Sequence, residues 1–552
     1  MRILAFSVAH DSSVCVINNG EIEFFCKEER LSRKKRDGNP FKSLELYRSL
    51  GLGPIDHALF LTPSNHKDDK ALAYFYSLYF QKVFNVTLEN YSENNHHLSH
   101  ASLAFYNSEF DKCLVFVIDR DGAIFSKENQ ILAREAHSVY ECSYPDNFKP
   151  LHKSYYISDG MSYHKHRIKE ALEIEYPNCY ITANNEFSIV KVYEAATTLI
   201  GQHPLENGKT MGLSSYGNHI DERLFYKGNP LDYCFTMIDS PMGKVTAFSD
   251  HIDKIISNVD KNNFQFYADK AYQVQNETQN VVLDIIKYYT HHTGITNVCL
   301  VGGYGLNIIA NSHYIKNLPN INFYFEPVAD DTGISIGAAM HKYRTLSKDT
   351  KVNGLKTNCY HYYRPTEFNE GQFTTLDELV NLLTSQKSLA ICDGNPEAGP
   401  RALGHRSILF DPRNEKAKTI VNEIKKREWY RPFAGVILKE YFPIYFETLG
   451  LEESPYMTIN FDCKPITEKL VPGIVHVDKT CRIQTVDKTN GFLYTLLSEF
   501  YNKTGCPILL NTSFNLAGEP LVQTNQDALN TLYSSSLDAV YFVNDNRLVT
   551  KC

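Results

Sequence analysis

In the run His96-His97-Leu98-Ser99-His100, two histidines stand four residues apart. On a helix the rings of His96 and His100 share one face, a geometry suited to holding a single metal ion. The spacing alone suits a surface histidine cluster equally well. The acid of a His-Glu-x-x-His motif is missing, which removes a zinc protease. Two carboxylates are placed to complete a metal site. Asp119 closes the apolar run Cys113–Ile118, and the pair Asp330-Asp331 stands ahead of Thr332–Ala339. An acid at a strand end projects into an α/β crevice, although either acid taken singly also reads as an ordinary helix N-cap. Imidazole with carboxylate favours iron(II), manganese or zinc over calcium.

A second concentration of chemistry lies between Asn395 and Gly435. Nine cations face five anions there, a local balance of +4 in a chain that is −8 as a whole. Gly399–Ser407 places Arg401 and Arg406 around tight turns, and Lys425, Arg427 and Arg431 follow among Trp, Pro and Phe. Guanidiniums so placed suit bidentate phosphate binding, the plainer reading being a basic surface face. Beyond them, His476–Thr485 alternates like a strand and includes Arg482. Leu510–Asn515 offers Asn511, Ser513 and Asn515 after an apolar run. Two glycine-rich pieces, Gly302-Gly303-Tyr304-Gly305-Leu306-Asn307 and Gly208–Gly217 with Lys209, permit close approach of backbone to a nucleotide. Each is a weak signal alone. The single tryptophan, Trp429, and most tyrosines read as packing.

These groups need a scaffold. Arg2–Val8, Val14–Ile17 and Glu21–Cys26 read as strands, with Asn18-Asn19-Gly20 as a hairpin turn. Cys113–Ile118 and Val298–Val301 read as core strands, and Glu277–His291 as a helix with apolar Val281, Val282, Ile285 and Ile286. Strands alternating with helices predict an α/β architecture. The polar, irregular stretch Leu346–Glu367 divides two such patterns, predicting domains at 1–350 and 373–552 joined by a linker at 351–372.

With 552 residues, 43% hydrophobic and 22% charged, the chain has the composition of a soluble multidomain protein. Its net charge of −8 argues against general affinity for nucleic acid. No apolar run approaches the roughly 18 residues a membrane span needs. His10-Asp11 comes too early for a signal-peptide core, so a cytoplasmic location is expected. The 13 cysteines are scattered, with no Cys-x-x-Cys pair, which speaks against a zinc ribbon or a secreted disulfide framework.

Taken in order, His10–Ser13, Glu28–Arg33, His96–Ala101, Gly208–Gly217, Gly302–Asn307, Asp331–Ala339, Gly399–Ser407, Lys425–Ala434, His476–Thr485 and Asn511–Pro520 closely resemble the O-carbamoyltransferases of antibiotic and nodulation-factor biosynthesis. The resemblance spans almost the whole chain. It implies an N-terminal duplicated ribonuclease-H-like domain of the ASKHA ATPase type, similar to tRNA threonylcarbamoyl transferases, and a C-terminal YrdC-like α/β domain. It further implies that the C-terminal domain makes carbamoyl-adenylate from carbamoyl phosphate and ATP with Mg2+. The N-terminal domain, holding iron(II) through His96, His100, Asp119 and Asp331, then transfers the carbamoyl group to a hydroxyl. Asn207, Gly305, Arg120-Asp121 and Gly435 depart from the pattern, and those near Asn207 and Arg120 leave the acceptor undefined.

On this resemblance Arg401, Arg406, Lys425, Arg427 and Arg431, with Arg482 and Asn511, neutralise or contact carbamoyl phosphate and ATP. Ser513 and Asn515 orient the carbamoyl group or nucleotide. Gly302, Gly303, Asn307 and Lys209 meet a nucleotide, and Lys35 holds a phosphate or carbamoyl oxygen. His10 is expected to act as general base on the acceptor, or else only to hydrogen-bond the carbamoyl or phosphate oxygen. Since carbamoyl-adenylate is labile in water, an internal route between the two sites is expected. The partner is a small natural-product alcohol, without nucleic acid or membrane, and a homodimer is compatible. The rivals are a tRNA threonylcarbamoyl transferase, an ASKHA-type small-molecule kinase and a non-catalytic nucleotide-binding module.

Overall fold

A computed structural model of the chain describes residues 1–8, 10–62, 67–92, 95–127, 130–157, 165–184, 188–219, 227–228, 231, 233–234, 238–240, 243–245, 264–351 and 368–551. Its contacts group into two compact units. One comprises Met1–Glu28 and Asp37–Thr357, the other Glu29–Arg36 and Asn358–Cys552. Both are mixed α/β. Among the described residues no helix is long and apolar enough to cross a membrane.

The first unit repeats one topology. β1 (Arg2–Ser7), β2 (Ser13–Asn18) and β3 (Glu21–Lys27) form an antiparallel meander, and β4 (His57–Leu61) and β5 (Leu88–Asn90) add in parallel to β1, giving the order β3-β2-β1-β4-β5. The β2–β3 turn is Asn19-Gly20, both with positive φ (51° and 88°), which matches the right-handed twist of the strands it joins. β1 is apolar on both faces, with Ile3, Leu4, Ala5 and Phe6 wholly buried, as a central strand covered by helices requires.

The second sheet follows the same plan. β6 (Lys112–Ile118), β7 (Gln130–Ser143) and β8 (Asn147–Ile157) run antiparallel, while β10 (Asn297–Val301) and β11 (Asn322–Phe325) lie parallel beyond β6. β9 (Tyr180–Asn184) extends the meander edge, so the order is β9-β8-β7-β6-β10-β11. Two meanders, each with parallel strands added to its first strand, constitute a duplicated ribonuclease-H-like fold.

Helix α1 (His96–Asn107) packs against α4 (Ile334–Ser347). The approach is close because position 337 is glycine: a Cβ there would lie 1.8 Å from the Ser99 carbonyl oxygen. This contact fixes α1, which carries the two candidate histidines. Between these helices in sequence lie α2 (Asn207–Ser214) and α3 (Phe264–Thr293). Gly208–Gly217, read from sequence as a glycine-rich piece open to a nucleotide, is therefore largely helical. Gly303–Leu306 forms a single 3-10 turn.

The second unit is built on a nine-stranded mixed sheet. Its strands are β12 (Gln372–Phe373), β13 (Leu389–Cys392), β14 (Arg406–Phe410), β15 (Ala434–Leu438), β16 (Asn460–Asp462), β17 (Thr480–Val486), β18 (Ile508–Ser513), β19 (Ala539–Phe542) and β20 (Arg547–Thr550). They are arranged β12-β20-β19-β13-β14-β18-β15-β17-β16. His476–Thr485 is not one strand, as its alternation had indicated. His476–Lys479 forms a turn, with Lys479 at φ 61°, and β17 starts only at Thr480. Of the expected linker, 352–367 lies outside the described residues; Leu346 and Ser347 complete α4, and Gln372 already pairs in the sheet.

Candidate functional site

In the first unit the four residues singled out as metal ligands converge. His96 and His100 lie on α1, Asp119 immediately follows β6, and Asp331 opens a 3-10 turn ahead of α4. All four are buried, and one ligand atom from each falls within 4.8 Å of all the others. His96 Nε2 is 3.3 Å from Asp119 Oδ2 and 3.5 Å from Asp331 Oδ1. His100 Nε2 is 3.6 Å and 3.4 Å from the same two atoms. Gly303 N–H donates to Asp119 Oδ1 at 2.9 Å, turning Oδ2 toward both rings. Asp330, by contrast, is the cap, accepting from Thr332 N–H.

The donors fit a divalent transition metal. Neither ring nitrogen of the buried His100 has a hydrogen-bond partner among the described residues, its Nε2 facing the two carboxylates at 3.4 and 3.6 Å. Four groups facing a common point, two imidazoles and two carboxylates, make a binding set. Without a cation the electrostatics settle internally. Burial opposes charge on His96, yet Asp331 and Asp119 outweigh it and push the ring up to about 10. Burial likewise opposes ionisation of Asp119, but the two rings hold its carboxyl well below the usual carboxylate range.

His10 borders this cluster, its Nε2 3.7 Å from Asp331 Oδ2 and its Nδ1 3.1 Å from Asp11 Oδ2; Lys27 Nζ meets the other Asp11 oxygen at 2.7 Å. Burial disfavours its charge, but the hydrogen bond to Asp11 and the charges of Asp331, Asp11 and Asp119 push it up to about 9.

Behind α1, Glu326 is wholly buried. Its carboxylate accepts from Asn107 Nδ2 (2.8 Å), Tyr324 OH (3.1 Å) and Val328 N–H (2.9 Å), yet burial pushes it up to about 7. The folded state therefore keeps a proton that the unfolded state releases near pH 4.5. Its contribution to stability is full below pH 4.5 and is lost as pH rises to about 7, a change of about 3 kcal/mol. Asn107 Oδ1 is buried without a hydrogen-bond partner, so rotating that amide supplies an acceptor for a neutral, donating group at position 326. Glu326→Gln is expected to flatten this part of the melting-temperature profile and to melt above the wild type at pH 8. An unchanged slope between pH 4.5 and 7 would contradict the assignment.

The nucleotide contacts read from the glycine-rich pieces have other occupations. Gly302 sits at φ 86°, where a Cβ would lie 2.4 Å from the Ile118 carbonyl oxygen, so glycine is required for β10 to leave the sheet beside β6. Asn307 caps the next helix, accepting from Ala310 N–H at 3.1 Å, while its Nδ2 donates to Gln275. Lys209 Nζ pairs with Glu206 (2.8 Å) and Gln202 (2.7 Å) on its own surface.

In the second unit, Arg406 is engaged as a brace. The residue is 1% exposed, and its guanidinium donates to the carbonyls of Asp393, His405, Gly394 and Gln523 at 3.0–3.1 Å. The loop carrying Arg401 is held from inside. Glu397, overlooked in the sequence except as an anion, accepts from the amides of Leu403, His405 and Arg406. Asn511 Nδ2 donates to Ala402 O (3.3 Å) and Gln484 Oε1 (3.0 Å), so Asn511 too is a support. Lys425 Nζ donates to Ser513 and Asn515, side chains and carbonyls alike, tying together three residues expected to meet ligand.

What remains is a concentration of cations with few acids. Arg427 is fixed by Asn422 Oδ1 (2.6 Å), by the Pro432 carbonyl (3.0 Å) and by the Phe433 ring, 4.0 Å from its guanidinium carbon. Burial, then the like charges of Arg431 and Arg482, pull Arg427 well below its usual range; burial and Arg431 pull Arg482 down to about 10. Burial, Arg427 and Arg431 lower Lys425 as well, with a smaller push from Lys35. Lys35 thus lies with the second unit's cations, as Glu29–Arg36 does by contact. Arg33 of that segment donates to the carbonyls of Leu521 (2.7 Å) and Pro520 (3.0 Å), links no local pattern announces. Glu428, 3.7 Å from Arg431, offsets only part of the charge. Cations held together at a cost form a set whose charge suits an anion.

Comparisons agree with both halves. The sequence profile of the carbamoyltransferase N-terminus matches residues 68–340, and that of the carbamoyltransferase C-terminus matches 380–551. An uncharacterized protein of Methanocaldococcus jannaschii is 28% identical, covering 100% of this chain and 99% of its own. Nodulation protein NolO of Bradyrhizobium diazoefficiens is 28% identical over 81% of this chain and 77% of its own, and nodulation protein U of Rhizobium tropici 33% over 41% and 39%. Full-length HypF in its phosphate- and nucleotide-bound form covers 63% of this chain, which spans 56% of that protein, at 14% identity and a TM-score of 0.37, a likeness too slight to bear on function.

Proposed function

The chain belongs to the carbamoyltransferase family and is a carbamoyltransferase, and from that premise we propose that it activates carbamoyl phosphate with ATP and passes the carbamoyl group to a hydroxyl of a small natural product. The observation that supports this reading best is the pairing of two unlike sites in one chain: a buried histidine–carboxylate cluster in one unit and a crowded cation site in the other.

Carbamate is a poor electrophile, being anionic and resonance-stabilised. Carbamoyl phosphate first gives up its phosphoryl group to water as inorganic phosphate, leaving carbamate. The carbamate oxygen then attacks the α-phosphorus of Mg-ATP, the bond from Pα to the α,β-bridging oxygen breaks, and pyrophosphate leaves with that oxygen. Arg401, Arg427, Arg431 and Arg482 hold the negative charge that gathers on carbamoyl phosphate and the triphosphate. Arg427 is preoriented by Phe433 and Pro432, so little ordering remains at the moment of reaction. Arg406, Asn511, Lys425, Ser513 and Asn515 keep these groups in register. Lys35 contributes positive charge to the same site.

In the transfer step the alcohol oxygen attacks the carbamoyl carbon, AMP departs with the bonding electrons, and the hydroxyl proton passes to the departing phosphate. A divalent cation held by His96, His100, Asp119 and Asp331, iron(II) on the family resemblance, supplies charge that favours an anionic phosphate leaving group. His10, set between Asp11 and Asp331, hydrogen-bonds a carbamoyl or phosphate oxygen, the second of the two roles foreseen for it. Arg120 and Asp121, departures from the family pattern next to Asp119, bear on which alcohol is accepted.

The test follows labelled carbamoyl phosphate with ATP and iron(II) against aminoglycoside, macrolide, β-lactam-precursor and oligosaccharide alcohols. The expected outcome is a labelled carbamate ester formed with an equal amount of AMP. Label appearing on tRNA, or ADP formed from ATP and an alcohol without carbamoyl phosphate, would turn the reading to a tRNA-modifying enzyme or a kinase.

A further inference from the structure

Behind the histidine–carboxylate cluster lies a charged group that the proposed reaction does not use. Glu135 on β7 and Lys153 on β8 are 0% and 2% exposed, and Lys153 Nζ meets Glu135 Oε1 at 2.5 Å. The same oxygen accepts from Ser138 Oγ (2.5 Å) and lies 3.3 Å from His97 Nδ1. Oε2 accepts from Ala123 N–H at 3.1 Å. The Glu135 backbone also pairs with this loop, its carbonyl accepting from Gly122 N–H (2.7 Å) and its N–H donating to the Ala123 carbonyl (2.9 Å).

These contacts reach both arms of the cluster. His97 is the neighbour of His96 on α1, and Gly122-Ala123 continue the loop that begins at Asp119. The two arms meet tightly: a Cβ on Gly122 would lie 2.5 Å from His97 Nε2. One carboxylate therefore sets the distance between the helix that carries two ligands and the loop that carries a third. Lys153 keeps that carboxylate ionised and in place, itself steadied by Tyr140 OH at 3.2 Å and by the Tyr176 ring.

A fully buried ion pair is a weak source of stability, since removing both charges from water costs about what their attraction returns. The pair's consequence is better sought in geometry. We infer that Glu135 and Lys153 are positioning residues for the metal site: they hold His97 and the Asp119–Ala123 loop in the register that lets His96, His100, Asp119 and Asp331 converge on one ion. The inference rests on the reading of that cluster as a metal site. Metal ligands supported from behind in this way bind about 10–100-fold more tightly than unsupported ones.

Glutamine at position 135 offers one acceptor oxygen where two are used, so it cannot serve both Ala123 N–H and the Ser138–His97 side. A single substitution also strands a buried charge, so the test pairs E135Q with K153M, which leaves the interior neutral. Cobalt(II) is titrated into the full chain, its d–d absorption is recorded, and the metal-free melting temperature is measured alongside.

The wild type should bind cobalt with a spectrum that His100→Ala abolishes. E135Q/K153M should bind about 10–100-fold more weakly with a shifted spectrum, and Lys153→Arg should restore most of the affinity. Wild-type affinity and spectrum in the double variant would overturn the positioning role while leaving the metal site intact. If the wild type shows no cobalt spectrum beyond that of His100→Ala, the metal reading itself has failed. Should the double variant not fold, Glu135→Asp decides, because it keeps both charges of the pair while drawing the carboxylate back from Ala123 N–H and His97. Weakened binding supports the inference, and unchanged binding overturns it.

Discussion

Replacing His100 with alanine is expected to reduce carbamoyl transfer by about 10^3-fold or more while leaving carbamoyl-phosphate-dependent pyrophosphate release from ATP in place. The reasoning is one of separation. His100 belongs to the first unit, where its Nε2 faces Asp119 and Asp331. Every arginine of the cation site, with its supports Glu397, Phe433, Ser513 and Asn515, belongs to the second. Removing one ligand of four leaves two carboxylates and one imidazole, which hold an ion more weakly and in a changed geometry. The adenylating groups are untouched. The check is parallel assay of pyrophosphate and of carbamate ester with whichever alcohol the wild type accepts. Loss of both activities together, in a protein that still melts cooperatively, would mean that the chemistry is not divided between the two sites.

The second large effect has opposite signs for function and stability. Arg482→Met is expected to raise the KM for carbamoyl phosphate or ATP by about 10^2-fold, the loss of a charged, paired contact to phosphate. In ligand-free protein the same change should raise the melting temperature by about 2–4 °C. Arg482 is pulled down to about 10 by its burial and by Arg431, and in turn it depresses Arg427, so its charge is carried at a cost that methionine removes. Saturating substrate should reverse the order, since only the wild type gains full stabilisation from binding. Calorimetry with and without carbamoyl phosphate and ATP reads both signs. A variant less stable than the wild type in both conditions would show that Arg482 is a packing residue.

How much of this was legible in the sequence depends on the range of the interaction that decides each feature. The β2–β3 hairpin could be read because Asn19-Gly20 sets its own turn. The strand Cys113–Ile118 could be read because burial on both faces leaves an unbroken apolar run. The metal cluster was legible in parts, through the four-residue spacing of His96 and His100 and through acids at element boundaries. The closure of those parts at Asp331 came from the resemblance.

The misses are all long-range. Nothing in Gly399–Ser407 reveals that the Arg406 guanidinium is spent on four carbonyls, one of them at Gln523. Asn307 and Gly302 carry the signature of a nucleotide loop but answer to a helix cap and to the approach of Ile118. Glu135 and Lys153 stand on different strands, and only the register of β7 with β8 makes them a pair. Glu29–Arg36 lies early in the chain yet packs with residues from Asn358 onward, a placement that nothing local to Lys35 announces.

The measurement that bears most directly on the account is pyrophosphate release by the purified protein with Mg-ATP, with and without carbamoyl phosphate, and with no acceptor present. Adenylate formation predicts release that depends on carbamoyl phosphate and that falls away in Arg401→Ala. No release under either condition, with iron present and the protein folded, would contradict the two-step mechanism.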